Sequence, residues 1–259
     1  MNRFAVENLF GIKGFNIAWY GVIIAIGMVM GIFLATYRSK KYGISSETIF
    51  DFVLFAIPIS IVCARLYYVI FEWDNYKNSL LKIFAIREGG LAIFGGVIGG
   101  VTTAFVFCKV KNISFLRFTD VAIPSLLVGQ IVGRWGNFTN QEAFGNLVLN
   151  ERYQRFPFAV YIEKLREWHQ ATFFYESFMN LILLIVILVM GTRVKHNGYA
   201  LCLYLICYGV IRFMVEGLRA DSLYIIPGIR VSQVLALCLI PLGIVMWLYI
   251  SRKGKSGNE

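Results

Sequence analysis

The sequence predicts an all-α integral membrane protein of about seven transmembrane helices, with its N-terminus outside, its C-terminus cytoplasmic and a small cap on the outer face. Three observations predict it: a shortage of charge, apolar runs of spanning length, and a periodic bias of Lys and Arg between them. Of the 259 residues, 58% are apolar and 15% charged, whereas a soluble domain carries about 45–50% and about 25%. The mean hydropathy is +0.66. A helix needs about 20 apolar residues to cross the hydrocarbon core. Runs of that kind lie near 17–37, 50–71, 91–108, 120–135, 178–192, 198–216 and 232–250. The first is too long for the apolar core of a cleavable signal peptide and has no small-residue cleavage site, so it reads as a lasting span. The fourth and fifth are the weakest, and the fourth leads straight into a polar motif.

Charge orients the spans. The first, third and fifth loops hold Arg38, Lys40 and Lys41, then Lys109, Lys111 and Arg117, then Arg193 and Lys195, and the tail adds Arg252, Lys253 and Lys255. The loops between them mix signs, as in Glu72, Asp74, Lys77, Lys82, Arg87 and Glu88. Unbalanced Lys and Arg mark the cytoplasmic side. The chain reads as one polytopic membrane domain over 1–259, in which the polar region 136–177 forms an outer-face loop or cap of short helices or strands. A connection that long tends to be functional. No internal repeat or low-complexity segment appears.

The net charge of +10 does not point to nucleic acid. The cations sit in short clusters between apolar runs, where they set topology and attract anionic membrane lipids. The five cysteines, Cys63, Cys108, Cys202, Cys207 and Cys238, fall in or beside apolar runs without the spacing of a metal pair, and read as small apolar filler.

Charge within a span is costly and marks a candidate site. Arg65, Arg134, Arg212 and Glu216 all fall near the outer ends of their spans, with Arg219 just beyond Glu216 and Tyr20 at the outer start of the first span. Several guanidiniums at one membrane depth suit a phosphate, whose oxygens match the planar fork. Mutual pairing, as between Arg212 and Glu216, and snorkelling to the interface are the plainer readings. The run from Gly89 to Gly100 carries three glycine doublets. Gly95/Gly99 and Gly96/Gly100 are four apart and allow close helix packing, while Gly89-Gly90 reads as a turn where backbone can meet a ligand. The run from Gly133 to Gly145 is more specific: Arg134, Asn137, Asn140 and Glu142 crowd between glycines, and groups this polar are not buried without partners.

At that run the sequence resembles the prolipoprotein diacylglyceryl transferase family, whose signature G-R-x-x-N-F-x-N-x-E-x-x-G is matched from Gly133 to Gly145. Further similarity covers most of the chain: Trp19-Tyr20-Gly21, Arg65 to Val69, Asp120 to Pro124, Thr172 to Glu176, Tyr208 to Phe213 with Glu216 and Arg219, and Ser232-Gln233. The resemblance implies an enzyme of the bacterial inner membrane, active at the outer leaflet. It implies transfer of the diacylglyceryl group of phosphatidylglycerol to the lipobox cysteine of a prolipoprotein signal peptide, with release of glycerol phosphate, as the first step of lipoprotein maturation. It also implies roles. Arg134 and Arg212 hold the lipid phosphate. Asn137 and Asn140 serve substrate binding with Glu216, Arg65, Gly95 and Gly96. Glu142 orients these groups or shuttles a proton. Tyr20 and Tyr208 line the site, and Gly145 permits the turn after Glu142. No cofactor and no metal are implied.

One position departs from the family. Many members carry His before the second glycine doublet, where this chain has Phe94. Phe accepts no proton, so the base is open between His169, Glu142, a tyrosine, or a thiol acidified by the arginines. Two other classes compete with the enzyme. A transporter would place polar groups at the midplane and show repeated halves. A non-catalytic lipid or lipoprotein scaffold would keep the same clamp without chemistry, and Phe94 is the feature that favours it.

Overall fold

In a computed structural model the described residues are 4–256, apart from 13, 15, 87–88, 195, 221–223 and 227–228. Arg87, Glu88 and Lys195, whose charges entered the loop reading, lie outside them, and so do the side chains of Lys253 and Lys255. A short hairpin of β1 (Phe4–Val6) and β2 (Ile17–Ala18) leads into α1 (Trp19–Ser39) and α2 (Ser46–Phe71). α3 (Ile93–Val110) and α4 (Phe115–Asn140) follow, then a hairpin of β3 (Ala159–Ile162) and β4 (Glu167–Gln170). α5 (Thr172–Met190) and α6 (Tyr199–Leu218) come next, then β5 (Tyr224–Ile226), β6 (Ile229–Arg230) and α7 (Val231–Ser256). Among the described residues, seven helices are long and apolar enough to cross a membrane. The all-α membrane reading is therefore borne out. The large exposed side chains agree with a lipid solvent, since Val29, Phe33, Leu54 and Ile70 stand on helix surfaces that water would not favour.

Of the boundaries that differ from the sequence reading, two concern polar residues of the site. α4 continues through the whole run Gly133–Asn140, and α5 begins at Thr172. The ends of the region read as outer cap, 136–140 and 172–177, are thus helical and carry site residues. Arg134 and Glu176 do not end their helices because each meets the other across α4 and α5, and such a partner is invisible along one chain.

The chain divides into two compact units, residues 1–35 with 119–259, and residues 36–118. In the second, α2 and α3 pack closely. A Cβ at Gly99 would stand 2.8 Å from the Cys63 side chain and 3.1 Å from the Ser60 backbone, so the glycine stripe of α3 is a packing face. Ser45 caps α2, its side chain accepting from the Thr48 N–H at 3.2 Å.

In the first unit, α1 lies along α4. A Cβ at Gly31 would stand 2.9 Å from the Ser125 carbonyl, and one at Gly27 3.2 Å from Val132. α6 and α7 meet through Gly209 and Gly243 in the same way. An apolar core joins Ile123 and Leu127 of α4, Leu183, Leu184 and Ile187 of α5, and Tyr199, Ala200 and Ile211 of α6. Asp120 fixes the start of α6: its carboxylate, fully buried, accepts the N–H groups of Gly198 at 2.7 Å and Ala200 at 2.9 Å. A carboxylate from a neighbouring helix thus satisfies donors that the first turn leaves open and complements its dipole.

Candidate active site

α4 delivers Arg134, Asn137 and Asn140 at three-residue steps along its last two turns. The helix stops there because Gln141 and Ala143 both adopt left-handed backbone, with φ of 53° and 56°. For residues other than glycine this costs about 1–2 kcal/mol each, a strain of the kind that gathers at functional sites. The reversal folds Glu142 back over the helix end, where its N–H donates to the Asn137 carbonyl at 3.0 Å. Its side chain then meets the two amides: Asn137 Nδ2 and Asn140 Nδ2 donate to Glu142 Oε1 at 3.0 and 3.3 Å. Asn137 Oδ1 accepts from Arg134 Nη1 at 3.4 Å, linking the exposed carboxylate to the arginine below.

The deeper half centres on Glu176 of α5, which is 1% exposed. Arg134 Nη2 lies 2.7 Å from its Oε1, and Arg212 Nη1 lies 3.0 Å from its Oε2. Arg212 Nη2 reaches Glu216 Oε2 at 2.7 Å, and Arg219 approaches the same oxygen at 3.9 Å. The Tyr208 hydroxyl lies 3.5 Å from Glu176 Oε1, and Arg212 Nη2 donates to Ser232 Oγ of α7 at 3.4 Å. Arg134, Arg212 and Arg219 thus gather around two buried carboxylates, Glu176 and Glu216, with Glu142 at the exposed end. Tyr20 flanks the cluster from α1, its ring lying so close over Gly136 that a Cβ there would stand 2.8 Å away.

The structure thus brings together Tyr20, Arg134, Asn137, Asn140, Glu142, Tyr208, Arg212 and Glu216. Arg65 lies in the other unit, and its five N–H groups all point at backbone carbonyls there. Nε donates to Ile83, Nη1 to Gly89 and Gly90, and Nη2 to Lys82 and Ala85. Arg65 thereby ties together Lys82, Ile83 and Ala85 with the Gly89-Gly90 turn. Gly95 is likewise taken up by packing on Cys63, Ala64 and Tyr67, whereas Gly96 has ordinary contact with Ala64 at 3.7 Å. Gly145 does not make the turn after Glu142, which Gln141 and Ala143 make. It is a bridging strand residue where a Cβ would stand 2.8 Å from both Gln170 and Thr172. His169 is buried in the β3–β4 hairpin with Nδ1 on the Gly145 carbonyl at 2.8 Å and Nε2 3.3 Å from Glu167. Both nitrogens are engaged.

Glu176 is the residue missing from the sequence-based site. Its signal is present in the sequence, an acid in the Y-E pair of Thr172 to Glu176, but it falls inside the polar region 136–177 that reads as the outer loop.

The fold and this cluster define a polytopic membrane protein with a buried arginine–carboxylate site built from α4, α5 and α6. A family model of prolipoprotein diacylglyceryl transferase matches residues 7–249. A phosphatidylglycerol–prolipoprotein diacylglyceryl transferase of Finegoldia magna is 44% identical over 251 residues, covering 96% of this chain and 98% of the relative. Proteins of the same name from Geobacillus kaustophilus and Bacillus cereus are 43% and 41% identical, over 92% and 100% of this chain and 90% and 96% of their own. The chain belongs to the prolipoprotein diacylglyceryl transferase family.

Proposed function

We propose that this protein transfers the diacylglyceryl group of phosphatidylglycerol to the lipobox cysteine of a prolipoprotein, the first step of bacterial lipoprotein maturation. Family membership and the names of the relatives support the reaction. The observation that carries the site is the pairing of Arg134 and Arg212 on opposite oxygens of one buried carboxylate, at 2.7 and 3.0 Å. That pairing holds two guanidinium groups beside one another, and their planar N–H donors suit the oxygens of a phosphodiester.

In this reading the cysteine thiolate attacks the carbon of the diacylglycerol unit that bears the phosphate. A C–S bond forms, the C–O bond breaks, and its electron pair leaves on the phosphate oxygen of glycerol phosphate. The thiolate is the nucleophile because the thiol is too weak. Arg134 and Arg212 stabilise the charge that grows on the departing phosphate, and preorganised donors of this kind contribute about 10²–10³-fold each. Asn137 hydrogen-bonds the headgroup. Glu142, exposed and held by two amides, takes the thiol proton, since Phe94 cannot. Tyr20 and Tyr208 wall the site, and Glu176 is a positioning residue that sets the arginines. The cation bias of the loops favours a site facing the outer leaflet of the cytoplasmic membrane.

The test is transfer of label from phosphatidylglycerol to a lipobox peptide by the purified protein, with a Cys→Ser peptide as control. Label on the Cys peptide alone supports the enzyme. Lipid binding without transfer turns the reading to a non-catalytic binder and makes Phe94 the leading cause.

A further inference from the structure

One helical turn below the arginine cluster, the same three helices each place one more polar residue. Gln130 precedes Arg134 by four on α4, Asn180 follows Glu176 by four on α5, and Tyr204 precedes Tyr208 by four on α6. In the ion pairs the first turn of α5 meets the last turns of α4 and α6, so α5 runs opposite to both. A step of four residues on each helix therefore moves about 6 Å in one direction. Contacts confirm the level: Gln130 Nε2 donates to the Tyr204 hydroxyl at 2.8 Å, and Ser177 Oγ donates to the Ile131 carbonyl at 2.9 Å. The Tyr204 and Tyr208 rings stack at 4.9 Å with 6° between their planes, joining this tier to the one above.

Asn180 is 0% exposed, and neither its amide nitrogen nor its amide oxygen has a hydrogen-bond partner among the described residues. The same holds for Gln130 Oε1. Below them Leu127, Leu183, Leu184 and Ile187 form an apolar floor. Three unsatisfied polar atoms at membrane depth are severely unfavourable, and native interiors satisfy such atoms with protein groups or ordered water.

We propose that Gln130, Asn180 and Tyr204 form an internal water site, holding one or two molecules between the arginine cluster and the apolar floor. Neutral amides and a phenol suit a neutral hydrogen-bonding ligand rather than an anion. The complete burial of Asn180 restricts that ligand to the size of water. Asn180 Nδ2 donates to the water, and the water donates to Asn180 Oδ1 and Gln130 Oε1, in keeping with the about three hydrogen bonds of a typical buried water. The site extends hydration one turn beneath Glu176, so the carboxylate that sets both arginines is not backed directly by hydrocarbon.

Hydroxyl-radical footprinting by X-ray radiolysis of the full chain in detergent tests this without using activity, so it can fail while the transferase reading stands. Radicals form from bound water, and Tyr204 is the reactive side chain of the tier. Tyr204 is expected to be modified several-fold more than Tyr199, which is 2% exposed in the apolar core. In Asn180→Leu that modification should fall several-fold, while Tyr20 keeps its own. The unfolding temperature of Asn180→Leu should fall as well, because a dry tier would instead be stabilised by losing two orphaned polar atoms. Gln130→Leu supplies the same comparison if Asn180→Leu does not fold. Tyr204 labelling no stronger than that of Tyr199, labelling unchanged in the variant, or a raised unfolding temperature overturns the proposal.

Discussion

Glu176 shows how one buried residue organises a site. Its two oxygens accept a different arginine each, so the helices carrying Arg134 and Arg212 are tied through α5. Arg134→Ala and Arg212→Ala are each expected to lower transfer by at least about 100-fold while the protein remains inserted. Near-normal turnover in either variant removes its proposed role at the phosphate. Glu176→Ala leaves two guanidiniums without their shared carboxylate. Losing one partner of a buried ion pair destabilises by about 3–5 kcal/mol, so thermal unfolding in detergent should shift markedly downward. Glu176→Gln keeps an acceptor and should shift less. Phe94→His should leave transfer within a few-fold if Glu142 takes the proton. A large gain in that variant would mean that the chain is impaired as it stands, and the base would have to be reassigned.

Among the elements, α4 and α6 are held by contacts far apart in sequence. Asp120 on α4 caps α6 through Gly198 and Ala200. Asp120→Ala should cost about 1–2 kcal/mol, as the loss of a cap does, measurable as a lower unfolding temperature, with the arginine geometry disturbed only through α6. The strand segment at Gly145 offers a second test. A methyl group there meets Gln170 and Thr172 at 2.8 Å, and overpacking of this kind costs about 1–3 kcal/mol. Gly145→Ala should therefore lower stability and activity together. Loss of activity at unchanged stability would point instead to backbone contact with substrate.

For the whole molecule, the proposed orientation rests on loop charge. Single cysteines introduced at Asn150 and at Ser251, in a background without the native cysteines, should react with an impermeant thiol reagent from opposite sides of the membrane, Asn150 from outside. Labelling of both from one side overturns the assignment of the site to the outer leaflet.

The sequence by itself determined the class, because a chain short of charge with spanning apolar runs has no stable alternative to lipid. It also marked Arg134, Asn137, Asn140 and Glu142, which lie close enough together to be read as one local run, and it pointed to Arg212 and Glu216 by their cost within a span. Tertiary structure decided which charges meet. Glu176 reads as part of a loop because an acid raises the polarity of its window, and nothing along the chain shows that two arginines neutralise it. Arg65 looked the same as Arg134 from sequence, yet its donors close on a loop while those of Arg134 close on a carboxylate. The Asn180 tier was invisible for the same reason: a buried amide declares itself only when the surrounding helices are in place and its partners can be counted.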